Sequence, residues 1–459
     1  MRVSVIFFGI SFFLSVALAE ERLLSHGEPT ALSDEAQTSN WPRFLGPTDD
    51  LRSPETHLLR EWGDTGPALL WELSKGEGYA SPIIEGERLL LFHRLDGSER
   101  IECRRALTGE ATWEHSYEVE YRDRYGYQNG PRGSPVIADG KVYSLGVTSR
   151  LTCLDLETGK LDWERDFAAD YEIRPSFFGA GSSPLVFDDQ LIVMIGASGG
   201  PCVVGIDRST GATLWGAEDE WGASYASPQR MGDKVLVFCG GESRPPHGGL
   251  LAIDPNDGGK IVGRFFWRAE KFESVNASTP VVLSDDRVFL TQCYGEGGVL
   301  LKLEDSGFSA VWKSENYAVH WMNPVTDDEG KTLFLIDGRH QQNARLVAVD
   351  IDSGDELWST TIEWQGEVKG RPFNFGIQRA SLLQVDGATL CLGEMGSLLW
   401  LRLDRDKAEV LARHQPFLAP QTWTPPVISR GLLYLMQNED DNLADGKGPR
   451  LRCYDLRRR

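Results

Sequence analysis

Short apolar runs alternate with turn residues along the chain from Tyr79 to its end, without the long 3.6-residue periodicity of amphipathic helices. One unit shows the pattern clearly: four strands are predicted at Pro135–Ala138, Lys141–Leu145, Leu151–Leu156 and Leu161–Asp166. Asp139-Gly140 supplies a hairpin turn between the first two strands. The pattern therefore predicts an all-β protein built from four-stranded antiparallel units.

Each unit opens with a small residue, usually followed by proline, just before an apolar strand. Proline suits the first residue of a strand, where its missing N–H breaks no ladder bond. The openings are Ser81-Pro82, Ser134-Pro135, Ser183-Pro184, Ser227-Pro228, Thr279-Pro280, Asn323-Pro324, a degenerate Ala380-Ser381, and Pro425-Pro426. Eight openings at a spacing of about 48 residues match the length of a four-stranded propeller blade.

A glycine turn followed four residues later by tryptophan marks the end of many units. The stretch Cys153–Trp163 reads C-L-D-L-E-T-G-K-L-D-W, and its glycine can adopt the positive φ of a tight hairpin. The tryptophan places a large apolar surface on the outer strand, where it can pack against a neighbouring unit. The same spacing occurs at Gly109/Trp113, Gly211/Trp215 and Gly354/Trp358, and looser copies end at Trp267 and Trp312.

The two ends of the repeat region complement each other. The eighth unit stops at Cys453–Leu456, where a turn and an outer tryptophan strand should follow. Residues Thr65–Trp71 resemble that missing piece without the unit that should precede it. We therefore expect one eight-bladed propeller over residues 41–459, closed by an N-terminal strand that completes the last blade and leaves no open seam.

The N-terminus has the composition of a secretory signal. Arg2, the apolar run Val3–Val16 and the small-x-small site Ala17-Leu18-Ala19 predict cleavage near Ala19 and a periplasmic or secreted protein. A membrane anchor is the alternative, but the run is short for a span. Residues 20–40 are polar and patternless, which predicts a flexible leader. We expect no other transmembrane segment. We also expect the protein to be a monomer.

The formal charge of −21 argues against a nucleic-acid partner, because phosphate binding requires a basic surface. Six of the seven cysteines fall at repeat-equivalent positions, Cys103, Cys153 and Cys453 at one and Cys239, Cys293 and Cys391 at another. Equivalent positions in different blades are usually too far apart for a disulfide, so we expect buried thiols instead.

The motif D-x-x-T-G-x-x-x-W, seen at Asp155–Trp163 and Asp207–Trp215, resembles that of the PQQ-like, or quinoprotein-type, eight-bladed propellers. Trp41–Pro47, Val275–Val282 and Gln421–Val427 are similar to a subgroup common in secreted bacterial proteins. The resemblance implies one of two activities. Quinoprotein alcohol dehydrogenases bind PQQ and Ca²⁺ in the channel, whereas the outer-membrane assembly propeller has neither cofactor nor catalysis.

Residues just before the openings should line one mouth of the channel, where aromatic rings, Arg, Asn and His could hold a planar or anionic ligand. The alternative is that they only fill the channel end. The candidate cofactor-binding residues are Tyr79, Arg132, Tyr225, Asn276, His320, Trp321, Arg379 and Trp423, accompanied by Tyr127 and Phe178.

No catalytic or metal-binding residue is predicted. His320 is a lone histidine without a visible partner for general base catalysis. Gly196–Gly200 matches G-x-S-x-G but joins two strands, whereas a nucleophile elbow joins a strand to a helix. The acidic loop Asn438–Gly448 lacks EF-hand spacing, and a solvated insertion is favoured over a Ca²⁺ site.

The chain has neither the adjacent Cys-Cys pair typical of such dehydrogenases nor a C-x-x-C-H haem site. The sequence therefore favours a non-catalytic binding or scaffold protein that holds a protein or carbohydrate partner on one propeller face. The alternative is an alcohol or sugar dehydrogenase that uses PQQ with Ca²⁺.

Overall fold

The predicted repeats form eight antiparallel sheets arranged as the blades of one propeller. A computed structural model describes residues 22–63, 65–173, 176–218, 220–443, 446 and 448–458. The predicted signal peptide, residues 1–19, lies outside the described residues. The eight-bladed, all-β architecture is confirmed.

Strands run from the channel outward in blades 1 to 7, in chain order. Blade 1 comprises Ile83–Glu85, Arg88–Leu95, Ser98–Arg105 and Ala111–Glu118. Blade 2 comprises Val136–Ala138, Lys141–Leu145, Arg150–Asp155 and Leu161–Asp166, followed by a short helix, Phe167–Asp170. Blade 3 comprises Leu185–Phe187, Gln190–Met194, Val203–Asp207 and Thr213–Ala217. Blade 4 comprises Gln229–Met231, Lys234–Cys239, Gly249–Asp254 and Lys260–Phe266.

The second half of the ring carries insertions. Blade 5 comprises Val281–Val282, Arg287–Gln292, Gly297–Glu304 and Gly307–Ser314. Blade 6 comprises Val325–Thr326, Thr332–Asp337, Arg345–Asp350 and Glu356–Thr360, with a 3-10 turn at Gln341–Asn343. A separate hairpin, Glu363–Val368 and Arg371–Gly376, precedes blade 7, which comprises Ser381–Val385, Ala388–Leu392, Leu398–Leu403 and Ala408–His414. Blade 8 comprises Val427–Ser429, Leu432–Gln437, Arg450–Asp455 and the N-terminal strand Ala68–Ser74.

The last blade is closed as predicted. Ala68–Ser74 pairs antiparallel with Arg450–Asp455, and Trp71 lies opposite Cys453. Because the first and last parts of the chain share one sheet, the ring has no open seam between its ends.

The glycine-tryptophan pattern joins each blade to the next. The indole of Trp113 in blade 1 covers Gly159 of blade 2, where an added Cβ would lie 2.4 Å from the ring. The Trp113 Nε1 donates to the carbonyl oxygen of Leu156 at 3.0 Å, in the same turn. Trp71, Trp163 and Trp312 also contact the turn glycine of the next blade. The tryptophan therefore acts between blades, as the sequence predicted.

Trp267 is an exception to the predicted pattern. Gly263, not a tryptophan, occupies the docking position of blade 4, opposite Ala252 and just before the register shift. Trp267 follows the outer strand and is buried. Leu303 and Phe308 of blade 5 approach the position that a Cβ of Gly263 would take. The neighbouring blade thus fills the place that a tryptophan fills elsewhere.

The small residues of the openings form a chain of hydrogen bonds between blades. The Ser81 N–H donates to Ser134 Oγ at 2.8 Å, and the Ser134 N–H donates to Ser183 Oγ at 2.8 Å. The chain continues from the Ser183 N–H to Ser227 Oγ and from the Ser227 N–H to Thr279 Oγ1. These hydroxyls satisfy backbone donors that the first strand leaves unpaired, which explains their recurrence before the proline.

Residues 22–40, which the sequence predicts to be part of a flexible leader, contact the propeller at several positions. Leu23–Ser25 adds a fifth strand outside Ala68–Ser74, with Leu24 opposite Glu72. Arg22 forms an ion pair with Glu102 of blade 1 at 2.8 Å. The outer edge of blade 8 offers free backbone groups, and these pairings satisfy them.

Residues 41–58, which we call the strap, cross the channel on the side away from the blade openings. Trp41 exchanges backbone hydrogen bonds with Ile84 of blade 1, and the Ile137 N–H of blade 2 donates to the Pro42 oxygen. Arg52–Ser53 then pairs in parallel with Gln384–Val385 of blade 7. The strap therefore joins opposite parts of the ring.

All seven cysteines are free thiols, and only Cys293 is partly exposed. Cys202 and Cys239, in adjacent blades, approach each other with their sulfurs 3.8 Å apart. In the described part of the chain, no helix has the length and apolarity needed to cross a membrane.

Candidate functional site

The loops before the blade openings meet at one end of the channel, which we call the opening mouth; the other end is the strap mouth. The strands of each blade alternate in direction, so the turns between second and third strands also lie at the opening mouth. The strap covers the strap mouth. The two ends of the channel therefore differ in what closes them.

The predicted aromatic residues contact one another across the opening mouth. Trp423 lies 5.7 Å from Trp321, 5.2 Å from Tyr79 and 5.5 Å from Tyr127, measured between ring centroids. Phe178 continues the series, 5.6 Å from Tyr127. Trp423 belongs to blade 8 and Tyr127 to the loop before blade 2, so these contacts join blades that are not neighbours. We call Tyr79, Tyr127, Phe178, Tyr225, Trp321 and Trp423 the mouth cluster.

Two arginines lie between the rings of the mouth cluster. The Arg132 guanidinium is 5.7 Å from the centroids of both Tyr79 and Phe178. The Arg379 guanidinium is 6.0 Å from Trp321 and 5.9 Å from Trp423. Cation–π attraction at these distances holds the rings and the guanidinium groups together.

A buried carboxylate fixes each of these arginines. Arg132 Nη2 donates to Asp123 Oδ2 at 2.9 Å, and Arg379 Nε donates to Glu394 Oε2 at 2.8 Å. Glu394 also accepts from the Trp423 indole Nε1 at 3.0 Å. Such charge-assisted hydrogen bonds are short and directional, so the mouth cluster is pre-organised.

Asp123 positions the aromatic loop as well. Its Oδ1 accepts from the backbone N–H groups of Tyr125 at 2.8 Å and of Tyr127 at 3.1 Å. Both tyrosine side chains face solvent, with exposed fractions of 54% and 37%. Asp123, Glu394 and Tyr125 were not predicted; an arginine beside an aromatic-rich loop, Arg124–Tyr127, was the only signal in the sequence.

Two phenols of the mouth cluster, those of Tyr79 and Tyr225, have raised pKa values. Burial raises the pKa of Tyr225 to about 12, and its hydroxyl oxygen accepts from the Phe178 N–H at 2.9 Å. Burial also raises the pKa of Tyr79, whose hydroxyl donates to Gln421. These phenols remain protonated near neutral pH and serve to hold the loops together.

Lys75 lies beneath this mouth as a buried amine. Its Nζ donates to the carbonyl oxygens of Gly76 at 3.2 Å and Gly78 at 3.0 Å. Burial lowers the pKa of Lys75 from 10.5 to about 7. The loop before Tyr79 is thereby tied to an amine that changes charge near neutral pH.

Asn276 differs from the other predicted site residues. It is completely buried; its Nδ2 donates to the Cys239 carbonyl at 2.6 Å, and its Oδ1 accepts from Gln292. The amide is therefore occupied by the protein itself. The structure brings Tyr79, Arg132, Tyr225, His320, Trp321, Arg379 and Trp423 to the mouth and places Asn276 below it.

The other sequence motifs lie in ordinary connections. Gly196–Gly200 lies between the second and third strands of blade 3, as predicted. In the acidic loop, Asp441 Oδ1 accepts from the N–H groups of Leu418 and Leu443, and Asp440 accepts from the Gly448 N–H. These carboxylates bind the backbone of the loop.

The strap mouth contains a cavity of about 700 Å³ beside the strap, over blades 3 to 5. Its charged side chains are paired: Arg43 with Asp49, Arg208 with Asp139, and Arg230 with Asp188. Glu55 lies buried next to blade 8 and accepts from the N–H groups of Ser39 at 2.9 Å and Gly431 at 2.8 Å.

The donors of the opening mouth do not match the requirements of PQQ with Ca²⁺. Ca²⁺ takes six to eight oxygen ligands, whereas Asp123 and Glu394 are each bound to an arginine. Within residues that the structure describes, no three His, Cys, Asp or Glu side chains converge on a metal position. The rings of the mouth cluster contact one another, where a quinone would need a slot between them.

Comparison with known proteins supports the same fold. The family model described as outer membrane protein assembly factor BamB, of the PQQ-like propellers, matches residues 97–360, more than half of the chain. The chain therefore belongs to this PQQ-like propeller family. No curated protein matches it.

Several solved structures are similar to this chain at low sequence identity. BamB from Moraxella catarrhalis is 15% identical, with a TM-score of 0.55, covering 85% of this chain and 98% of that one. A europium-containing methanol dehydrogenase is 12% identical, with a TM-score of 0.65 and coverage of 92% and 98%. Quinohemoprotein alcohol dehydrogenase from Comamonas testosteroni is 14% identical, with a TM-score of 0.62 and coverage of 97% and 84%. At such identities the likeness extends to the fold alone.

Proposed function

We propose that this protein is a non-catalytic propeller that binds a partner protein through its opening mouth, outside the cytoplasm. The observation that carries the proposal is the mouth cluster itself. Its rings pack against one another and against Arg132 and Arg379, and thus form one continuous aromatic surface. The assembly factor in the matching family model is consistent with a scaffold.

The composition of this surface supports a protein partner. Aromatic residues and arginine are enriched in protein interfaces, where they provide most of the hot spots. Tyr127 of the mouth cluster and the nearby Tyr125 are both exposed, and Arg124 lies 5.8 Å from the Tyr125 ring centroid. Other exposed large apolar residues, such as Leu214, Phe266 and Val410, lie on the outer strands of separate blades.

Site-specific photo-crosslinking in the native host tests this proposal. A photoreactive amino acid at Tyr125 or Tyr127 should yield one saturable adduct with a single protein, and Tyr127→Ala should abolish the crosslink from position 125. The same photoreactive amino acid at Leu214, an exposed position on the outer strand of blade 3, is the matched control and should yield no such adduct. A glycan adduct at position 125, or equal protein adducts from position 214, would contradict the proposal.

The second candidate, a PQQ-dependent dehydrogenase, is favoured only by the fold shared with the two dehydrogenase structures. Calorimetric titration of the purified protein with PQQ and Ca²⁺, followed by a dye-linked alcohol oxidation assay, separates the two functions. We expect neither binding nor turnover. Stoichiometric, Ca²⁺-dependent binding with turnover that is lost in Arg132→Gln would replace the scaffold with the enzyme.

A further inference from the structure

Positive charge is left unpaired on one side of the opening mouth. Arg244 and Arg268 of blade 4 and Arg339 of blade 6 form no ion pair with any carboxylate in the described residues. Arg268 is only 2% exposed, and its guanidinium donates to the carbonyl oxygens of Gly240 and Ser274. The chain has a net charge of −21, yet the acidic group that contacts the arginines of this position is Glu394, which is bound to Arg379 and leaves Arg339 without a carboxylate partner in the described residues.

Arg339, Tyr294, His320 and Arg379 form a connected group there, which we call the cationic corner. The Arg339 guanidinium lies 4.4 Å from the Tyr294 ring centroid. The Tyr294 hydroxyl is 3.3 Å from His320 Nε2, and Arg379 Nη1 is 3.2 Å from His320 Nδ1. Arg379 Nη1 also donates to the Arg339 carbonyl at 3.1 Å, which links the loop before blade 7 to the connection between the second and third strands of blade 6.

The contacts define the protonation of His320. A guanidinium can only donate, so His320 Nδ1 accepts from Arg379 and the ring proton lies on Nε2, facing the Tyr294 oxygen. Burial, followed by the charges of Arg379, Arg339 and His340, lowers the pKa of His320 to about 3. The charges that lower this pKa belong to basic residues, and Glu394 is bound to the Arg379 guanidinium on its other side.

Donors without acceptors surround the same position. The Trp321 indole Nε1 and the Arg268 Nε are buried and have no hydrogen-bond acceptor in the described structure. The side chain of Arg379 is 14% exposed, and that of Arg339 is partly exposed beside it. Unpaired guanidinium groups and buried N–H donors are the chemistry that binds oxyanions.

We propose that the cationic corner binds an oxyanion group, either a carboxylate or a phosphate, of the partner protein that docks at the opening mouth. This inference rests on the proposed function, and it names the chemistry of the group that the mouth selects. The mouth cluster supplies apolar contact area, and the cationic corner supplies the charged contact that fixes orientation.

Nuclear magnetic resonance of the histidine rings in the full-length mature protein tests this inference. The chain has eight histidines, and His320→Gln identifies the resonances of His320 by their loss. Titration with inorganic phosphate and, separately, with a short amidated polyglutamate peptide should shift the His320 ring nitrogens saturably. Saturation by phosphate alone assigns a phosphate group, and saturation by the peptide alone assigns a carboxylate.

Arg339→Gln should weaken binding of the effective probe at least about tenfold, because a charge-assisted hydrogen bond is lost. Arg122→Gln, which removes an exposed arginine elsewhere on the same mouth, is the control and should leave the dissociation constant within about twofold. Equal weakening by both variants, or no shift of His320 with either probe, would overturn the inference. Crosslinking from position 125 is scored independently, so failure of one proposal is distinguishable from failure of the other.

Discussion

The two mouths of this propeller each bury ionisable groups that are held by backbone atoms, and these groups are of opposite sign. At the opening mouth, Lys75 and Arg268 are buried without a carboxylate in contact and are held by carbonyl oxygens. At the strap mouth, Glu55 is buried and is held by backbone N–H groups. The same eight blades lie between them, so the difference arises entirely from the loops and the N-terminal segment.

This difference separates two roles within one ring. At the strap mouth, each charged side chain of the cavity that we describe has a partner within the protein, and the strap ties several blades together. The opening mouth instead presents the exposed side chains of Tyr125 and Tyr127, and separately the Arg339 guanidinium, which packs over the buried Tyr294 ring. The strap ties the blades together at its own mouth, and this contrast supports our proposal that the opening mouth is the binding surface.

The largest expected effect lies at the strap mouth. Glu55→Ala should reduce the free energy of unfolding by about 3 kcal/mol or more, because it leaves buried N–H donors of Ser39, Arg430 and Gly431 unpaired. Chemical denaturation measures the change. Glu61→Ala, at an exposed position near the end of the strap, is the control and should change stability by less than about 0.5 kcal/mol. Similar losses in both variants would refute the anchoring role of Glu55.

The buried amine at the opening mouth gives a pH-dependent effect. The folded-state pKa of Lys75 is about 7, below its ordinary value of 10.5, so between these values the unfolded chain binds a proton that the folded chain does not. Stability contributed by this group therefore rises with pH across that window. From pH 7 to pH 10, the free energy of unfolding of the wild type should rise by about 2–4 kcal/mol relative to that of Lys75→Met. Lys271→Met, at an exposed position, should give a difference that is independent of pH.

Two glycines of blade 2 allow the energetic effect of the tryptophan contact between blades to be measured apart from that of backbone strain. Gly140 and Gly159 of blade 2 both have positive φ, at 71° and 68°, but only Gly159 lies under the ring of Trp113. Gly140→Ala should cost about 1 kcal/mol. Gly159→Ala should cost about 1–3 kcal/mol more, because its Cβ overlaps the indole. Equal losses on thermal denaturation would show that the tryptophan does not constrain the turn.

The smallest effect concerns the hydroxyl chain on the opening side. Ser134→Ala leaves the buried Ser81 N–H without its acceptor and should cost about 1–2 kcal/mol in urea unfolding. Ser306→Ala, at an exposed turn, should have no measurable effect. If Ser134→Ala is equally silent, the hydroxyls are not needed to join the blades.

The features of the sequence that repeat were predictable, and those that occur once were not. A sequence pattern that repeats eight times predicts the number of blades, closure by Ala68–Ser74, and the packing of Trp163 and its counterparts. The strap crosses the channel through single contacts such as Glu55 with Gly431, which no periodicity reveals.

The sequence predicted which residues lie at the candidate site, but not which side chains they contact there. Residues before the openings had to reach one mouth, and the aromatic ones do. Which arginine meets a carboxylate depends on individual loop side chains that no repeat specifies. Arg379 contacts Glu394, whereas Arg339 forms no ion pair within the described residues. Asn276 occupies an equivalent position but turns inward, because Gln292 and the Cys239 carbonyl satisfy its amide.

The most direct test of these roles is photo-crosslinking in the native host from matched positions at the two mouths, Tyr127 at the opening mouth and Asp50 in the strap. We predict one saturable protein adduct from position 127 and none from position 50. The reverse result, an adduct from the strap mouth with none from the opening mouth, would contradict the account.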